Sequence, residues 1–221
     1  MANSRFTRDE VILALDVLFS SNNGHASANS DEMKNLSELL NRLPIYPSDK
    51  KRVNFRSPTG ITKQLTMFQK SCSTGSRNID VGTTFFQVYF EFENCLDELH
   101  EIAMAIRKNE CGFSDQFGCL EEMQDFPEGS LLGHLHRNIE IRDGSKVGFK
   151  EKCEICGSMP KLYYQLCGQL LQHHLLVPPT ELDYTQKYGA ENFITICPTC
   201  HEALHRHRPW LKKENCEDIL R

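Results

Sequence analysis

The sequence predicts an α+β protein in two parts, a mainly helical amino-terminal domain followed by a small mixed domain clamped by cysteines. Three observations carry that reading. Apolar residues recur at helical spacing through the first half of the chain; two C-x-x-C pairs, Cys153/Cys156 and Cys197/Cys200, lie 40 residues apart; and a strand-like apolar run lies between the pairs.

The first helix is announced by Thr7 and Glu10, the ends of a capping box, followed by Val11, Ile12, Leu15, Leu18 and Phe19 at helical spacing. Polar residues from Ser20 to Gly24 end it. A second helix is expected from about Asp31 to Leu43, burying Met33, Leu36, Leu39, Leu40 and Leu43, with Pro44 and Pro47 as stops. After the basic connection Lys50, Lys51 and Arg52, Ser57 and Pro58 suit the cap and first position of a third helix that buries Ile61, Leu65 and Phe68. Three short helices beside clustered cations fit a helix-turn-helix-like reader of DNA, with Arg52, Arg56 and Lys63 near backbone or groove. They equally fit a helical domain whose basic loop is solvated.

From Gly82 to about Asn109 one further helical pattern runs through Phe85, Phe86, Tyr89, Phe92, Leu96, Leu99, Ala103 and Ile106, a face wide enough to pack on the first three helices. Residues 110–150 have mixed polarity and several glycines, and read as a linker with a short helix or strand over Leu131 to His136. No partner spacing makes His134 or His136 a ligand. The expected domains are therefore residues 1–109, helical and a candidate for DNA contact, and residues 151–221, joined by that linker.

The chain has 221 residues and a formal net charge of −5, which argues against a wholly electrostatic nucleic-acid binder. The acid is concentrated in the middle: residues 71–149 hold six Lys/Arg against fourteen Asp/Glu, whereas residues 1–70 hold ten against seven. Both ends are left free to face a polyanion. No apolar run is long enough to cross a bilayer and no export signal is visible, so a cytoplasmic protein without membrane attachment is expected. In that reducing setting Cys72, Cys95, Cys111, Cys119, Cys167 and Cys216 read as free thiols or core residues.

The two cysteine pairs suit one structural zinc, whose binding energy would fold a segment too small for its own core. A zinc thiolate site gives no use for the histidines around it. His173 and His174 end the apolar run, His201 follows Cys200 directly, and His205 stands one helical turn later on an expected helix from Pro198 to His207, so His201 and His205 share a face able to chelate one ion. Neighbouring strand residues face opposite ways, so His173 and His174 must have different roles. Cys167, in an apolar segment, is packing rather than a fifth thiolate. Arg206 and Arg208 suit either flanking phosphates or the helix's own carboxyl-terminal dipole.

Residue types, order and spacing from Cys153 to His207, including His173-His174-x-x-x-Pro178, Glu191-Asn192 and Cys197-x-x-Cys200-His201, resemble the HNH nuclease family of the zinc-ribbon ββα-metal type. Glu128 to Leu132, Arg137 to Lys146 and Arg208 to Leu211 resemble the flanks in bacterial restriction and McrA-like HNH proteins, and Asn54 to Phe68 resembles an amino-terminal domain often joined to them. The resemblance implies that His174 is the general base, that His173 and His201 ligate a catalytic divalent cation (Mg, Mn, Ni or Zn) with His205 as a further ligand, and that Asn192 fixes the loop that orients the base. It implies a DNA endonuclease acting in restriction of foreign, including modified, DNA. One site cuts one strand, so cleavage of both calls for a homodimer, two visits or a partner. The alternative is a non-catalytic zinc module that binds DNA or protein, and an RNA-cutting toxin on the same module is a third reading.

Overall fold

The computed structural model describes residues 5–21, 27–74, 81–116, 130–148, 150–159, 170–207, 210–211 and 215–216. The fold is α+β and mostly helical, with one two-stranded sheet. It divides into two compact units, Met1–Leu131 and Leu132–Arg221. No described helix is long and apolar enough to cross a membrane.

In the first unit α1 (Arg8–Ser20) packs against α2 (Asp31–Arg42), α3 (Pro58–Thr74), α4 (Thr83–Phe92) and α5 (Leu96–Lys108). Five consecutive residues, Val11 to Leu15, are buried, because a helix surrounded by four others has no solvent face. Phe19, expected with the apolar set, is 39% exposed beyond that surround. At the start of α1 the Glu10 carboxylate accepts from the Thr7 amide at 2.8 Å and hydroxyl at 3.2 Å, the expected box. Ser30 caps α2, and the Ser57 hydroxyl accepts from the Gly60 amide at 3.3 Å at the start of α3, whose Ile61, Leu65 and Phe68 are buried as expected.

The segment expected as one helix from Gly82 is two. Residues Glu93 to Cys95 turn the chain, with the Cys95 amide donating to the Phe92 carbonyl at 2.9 Å. Phe85, Phe92, Leu99, Ala103 and Ile106 stay buried on both sides of the break and are spaced by three, four or seven residues, so periodicity could not reveal it.

Arg56 corrects a second expectation. Its guanidinium is buried, with Nε 2.6 Å from Glu10 Oε1 and Nη2 2.9 Å from Glu10 Oε2, and it lies over the rings of Phe6 and Phe55. A cation already neutralised inside the core is not offered to DNA. Its backbone takes the left-handed value φ 46°, unusual for a side chain of this size, and the Ser37 hydroxyl donates to its carbonyl at 2.7 Å. Arg52 and Lys63 are exposed.

The expected linker holds α6 (Glu110–Gln116) and α7 (Leu131–Gly144). All of α7 after its first residue belongs to the second unit, which therefore starts at Leu132 and not near residue 151. Leu132, Leu135 and Ile139 are buried, while Ile141 is 72% exposed, and that outward isoleucine blurred the pattern. The sheet pairs β1 (Gln172–Leu175) antiparallel with β2 (Phe193–Ile196), setting His173 opposite Thr195 and His174 opposite Ile194. A last helix, α8 (Pro198–Arg206), follows β2. The second core packs Cys153, Ile155, Leu171, Ile194, Ile196, Cys200, Leu204 and Cys216 together.

Candidate metal centres

Cys153, Cys156, Cys197 and Cys200 bring their sulfurs within 4.8 Å of one another. The first pair sits on a tight knuckle. Gly157, at φ +71°, donates its amide to the Cys153 carbonyl at 3.0 Å, a backbone turn that glycine takes without steric cost. The knuckle is hooked to β2, where the Glu154 amide donates to the Thr195 carbonyl at 3.0 Å and the Thr195 amide to Glu154 Oε2 at 2.6 Å. Cys197 is the cap residue of α8 and Pro198 its first residue, so the second pair lies at a helix start, where the dipole favours thiolates.

Cys156 and Cys197 sulfurs are 3.8 Å apart, and a zinc with sulfurs at about 2.3 Å has tetrahedral edges of about 3.8 Å. The hydrogen bond between Cys156 Sγ and Ser158 Oγ lowers the Cys156 thiol to about 6, while burial, with Cys197 and Cys156 alongside, pushes Cys200 up. Four close thiols cannot all ionise without a cation among them. The set fits a metal ion such as zinc. Among the described residues Cys72, Cys95 and Cys111 are free thiols and Cys216 is buried in the second core, while Cys119 and Cys167 lie outside them.

A second group is formed by Glu140 of α7, His174 of β1, and His201 and His205 of α8, their ligand atoms again within 4.8 Å of one another. Glu140 Oε1 lies 3.0 Å from His174 Nδ1, 3.3 Å from His201 Nε2 and 3.7 Å from His205 Nε2, and the two Nε2 atoms are 3.0 Å apart. An ion with ligands at about 2.0–2.1 Å has tetrahedral edges of about 3.3–3.4 Å, so the four atoms are spaced for one.

Each member is held by its element. The Leu175 amide donates to Glu140 Oε1 at 3.0 Å. His201 Nδ1 meets Gln172 Oε1 at 2.6 Å, and since that oxygen only accepts, the proton sits on Nδ1 and the Nε2 lone pair faces the group. Trp210 stacks on His174 with centroids 5.3 Å apart and planes at 24°, and its indole N–H donates to the Leu176 carbonyl at 3.3 Å.

Burial pushes His174 down to about 4, and Glu140 only partly offsets it; the imidazole is neutral. Burial pushes the Glu140 carboxyl up, but the surrounding imidazoles outweigh it and hold the group well below the usual carboxylate range. His136 sharpens the argument for a cation. Burial drives it to about 3, its Nε2 proton goes to the Leu175 carbonyl at 2.9 Å, and Nδ1 is left without a hydrogen bond, 3.4 Å from Glu140 Oε1. A lone pair facing a carboxylate is repelled unless positive charge stands nearby.

Of the residues read from the sequence, His174, His201 and His205 converge and His173 does not. His173 points away, its Nδ1 3.2 Å from the Thr195 hydroxyl, and packs against Gly144, where an added Cβ would come within 3.0 Å of its own Cβ. Strand alternation forces this once His174 faces the group. The fourth member of the group, in the place expected of His173, is Glu140. Sequence reasoning missed that residue, and its one signal was His136 and Glu140 four apart, on one face if residues 131–144 are helical.

Asn192 lies in a turn, its Oδ1 accepting from the Gly189 amide at 3.1 Å and its carbonyl from the Leu176 amide at 2.8 Å, so it ties the loop before β2 to the strand end beyond His174. Arg206 is exposed and paired with Glu202 at 2.7 Å, and Arg208 lies outside the described residues. Comparison of the chain with family models, with curated proteins and with solved structures finds no match.

Proposed function

We propose that the chain is a metal-dependent DNA endonuclease of the HNH kind, hydrolysing phosphodiester bonds in the restriction of foreign DNA. One observation carries the reading: three histidines and a carboxylate, drawn from α7, β1 and α8, converge beside a four-cysteine group. The sequence pattern supports it, with a histidine doublet, an asparagine and a final histidine in the order of that family.

Glu140, His201 and His205 would hold the divalent cation, two histidines and one glutamate being a donor set suited to catalysis. The cation, when bound, supplies positive charge against the oxygens around phosphorus as the transition state builds negative charge on them. His174, uncharged, takes the proton from the attacking water. Gln172 keeps the His201 lone pair on the inner side, and Asn192 keeps the loop beside β1 in place. Cys153, Cys156, Cys197 and Cys200 would hold a zinc that ties the first knuckle to α8.

A second reading has its own support. Four protein ligands, three of them buried, also describe a closed structural zinc site, which would make the unit a two-zinc binding module without catalysis. Incubating supercoiled plasmid with folded, zinc-loaded protein and magnesium, manganese, nickel or zinc separates the two. The nuclease reading expects nicking that His174→Ala abolishes; equal nicking by both proteins, or none by either, overturns it. An RNA substrate in parallel distinguishes an RNA-cutting enzyme.

A further inference from the structure

We infer that His174 is itself a ligand of the cation at rest, closing the site until an anionic oxygen of a phosphodiester displaces its imidazole and frees it as the base. The identity of the displacing group rests on the nuclease reading; the resting ligand set does not.

A base that works through an intervening water stands back from the ligands of the ion. His174 Nδ1 instead lies 3.0 Å from Glu140 Oε1, an edge of the same tetrahedron that His201 and His205 complete. That nitrogen is buried and makes no hydrogen bond, a costly state for a polar atom and one that coordination relieves.

The four ligands are not equally fixed. Glu140 is tied by the Leu175 amide and His201 by Gln172, whereas the His174 ring is held by stacking on Trp210. Exchange also follows the charge. A divalent cation with Glu140 keeps one net positive charge, so an anionic phosphate oxygen replaces a neutral imidazole with a gain in attraction. Nδ1 then has a free lone pair. The water proton moves to it, the water oxygen bonds to phosphorus, and the 3′-oxygen leaves with the electron pair of the broken bond. His174 buried under Trp210 thus keeps the unloaded enzyme latent.

The test loads the thiolate site with zinc and the second site with cobalt(II), whose visible absorption reports coordination number. Wild-type protein is expected to show the intense band of a four-coordinate ion, and His174→Ala to bind cobalt more than about tenfold more weakly with a weak band. The same band and affinity in both proteins would overturn the inference. Should His174→Ala not fold, X-ray absorption of cobalt-loaded wild type decides, three imidazoles supporting the claim and two sinking it.

Diethyl phosphate, a diester that is not cut on this timescale, probes the exchange. It is expected to shift the position of the cobalt band, an oxygen replacing a nitrogen at unchanged coordination number, and to change the fluorescence of Trp210, the chain's one tryptophan; saturating diester with no change in either rejects displacement. Three imidazoles together with no plasmid nicking would refute the nuclease reading while leaving the resting ligand set standing.

Discussion

Glu140 Oε1 and His201 Nε2 lie 3.3 Å apart although 61 positions separate them in the chain. Their meeting joins α7 to α8 through the candidate cation, so α7 is part of the site and not a tether leading to it. Glu140→Gln keeps the shape and removes the negative charge. The variant is expected to bind one zinc equivalent, at the cysteines, where wild type binds two; elemental analysis after dialysis checks it, and two equivalents in the variant would remove Glu140 from the ligand set.

Gln172 would act on a bound ion through His201, whose Nδ1 it meets. Losing the acceptor at 2.6 Å frees the His201 tautomer, so Gln172→Ala is expected to weaken the second ion by about 10–100-fold, with the cysteine site unaffected. Gln172→Glu, which keeps an acceptor, restores most of the affinity. Competition titration with a chromophoric chelator measures both.

The histidine doublet divides by face. His174→Ala is expected to slow plasmid nicking by about a hundredfold or more. His173→Ala, which removes a ring packed between β2 and Gly144, should lower thermal stability and leave the rate per folded molecule within a few-fold, roughly the scatter expected away from reacting groups. A His173→Ala rate as low as that of His174→Ala would return the ligand role read for His173 from the sequence.

Asp9 makes the first unit sensitive to pH. Burial raises its carboxyl from 3.8 to about 7 although its Oδ2 accepts from the Leu131 amide at 2.9 Å. The folded form therefore binds the proton more tightly than the unfolded chain, and stability falls as pH rises from about 4 to about 7. Asp9→Asn keeps an acceptor for that amide without the charge, and is expected to be more stable than wild type at alkaline pH by roughly 4 kcal/mol at most, with no difference near pH 4. Thermal unfolding across pH reads this directly, and identical profiles would refute it.

Arg56 and Glu10 form a pair with both side chains almost fully buried. Arg56→Ala leaves a carboxylate without its partner in the core and is expected to cost about 3–5 kcal/mol in chemical denaturation. Any loss of DNA affinity in that variant should track unfolding, whereas Arg52→Ala and Lys63→Ala, at exposed positions, report on contact with DNA itself.

The sequence by itself determined the helix starts at Thr7 and Ser57, the strand carrying the histidine doublet, and the two cysteine knuckles, because caps, alternation and close ligand spacing are local properties of the chain. It also set His201 and His205 on one face, since a helical turn fixes their offset. Only the tertiary structure decided that His174 and not His173 faces the site, that Glu140 completes it and that Arg56 is spent inside the core. Each of these depends on which face of a strand or helix is turned toward a distant partner, and alternation or helical phase names the faces without saying what stands opposite them.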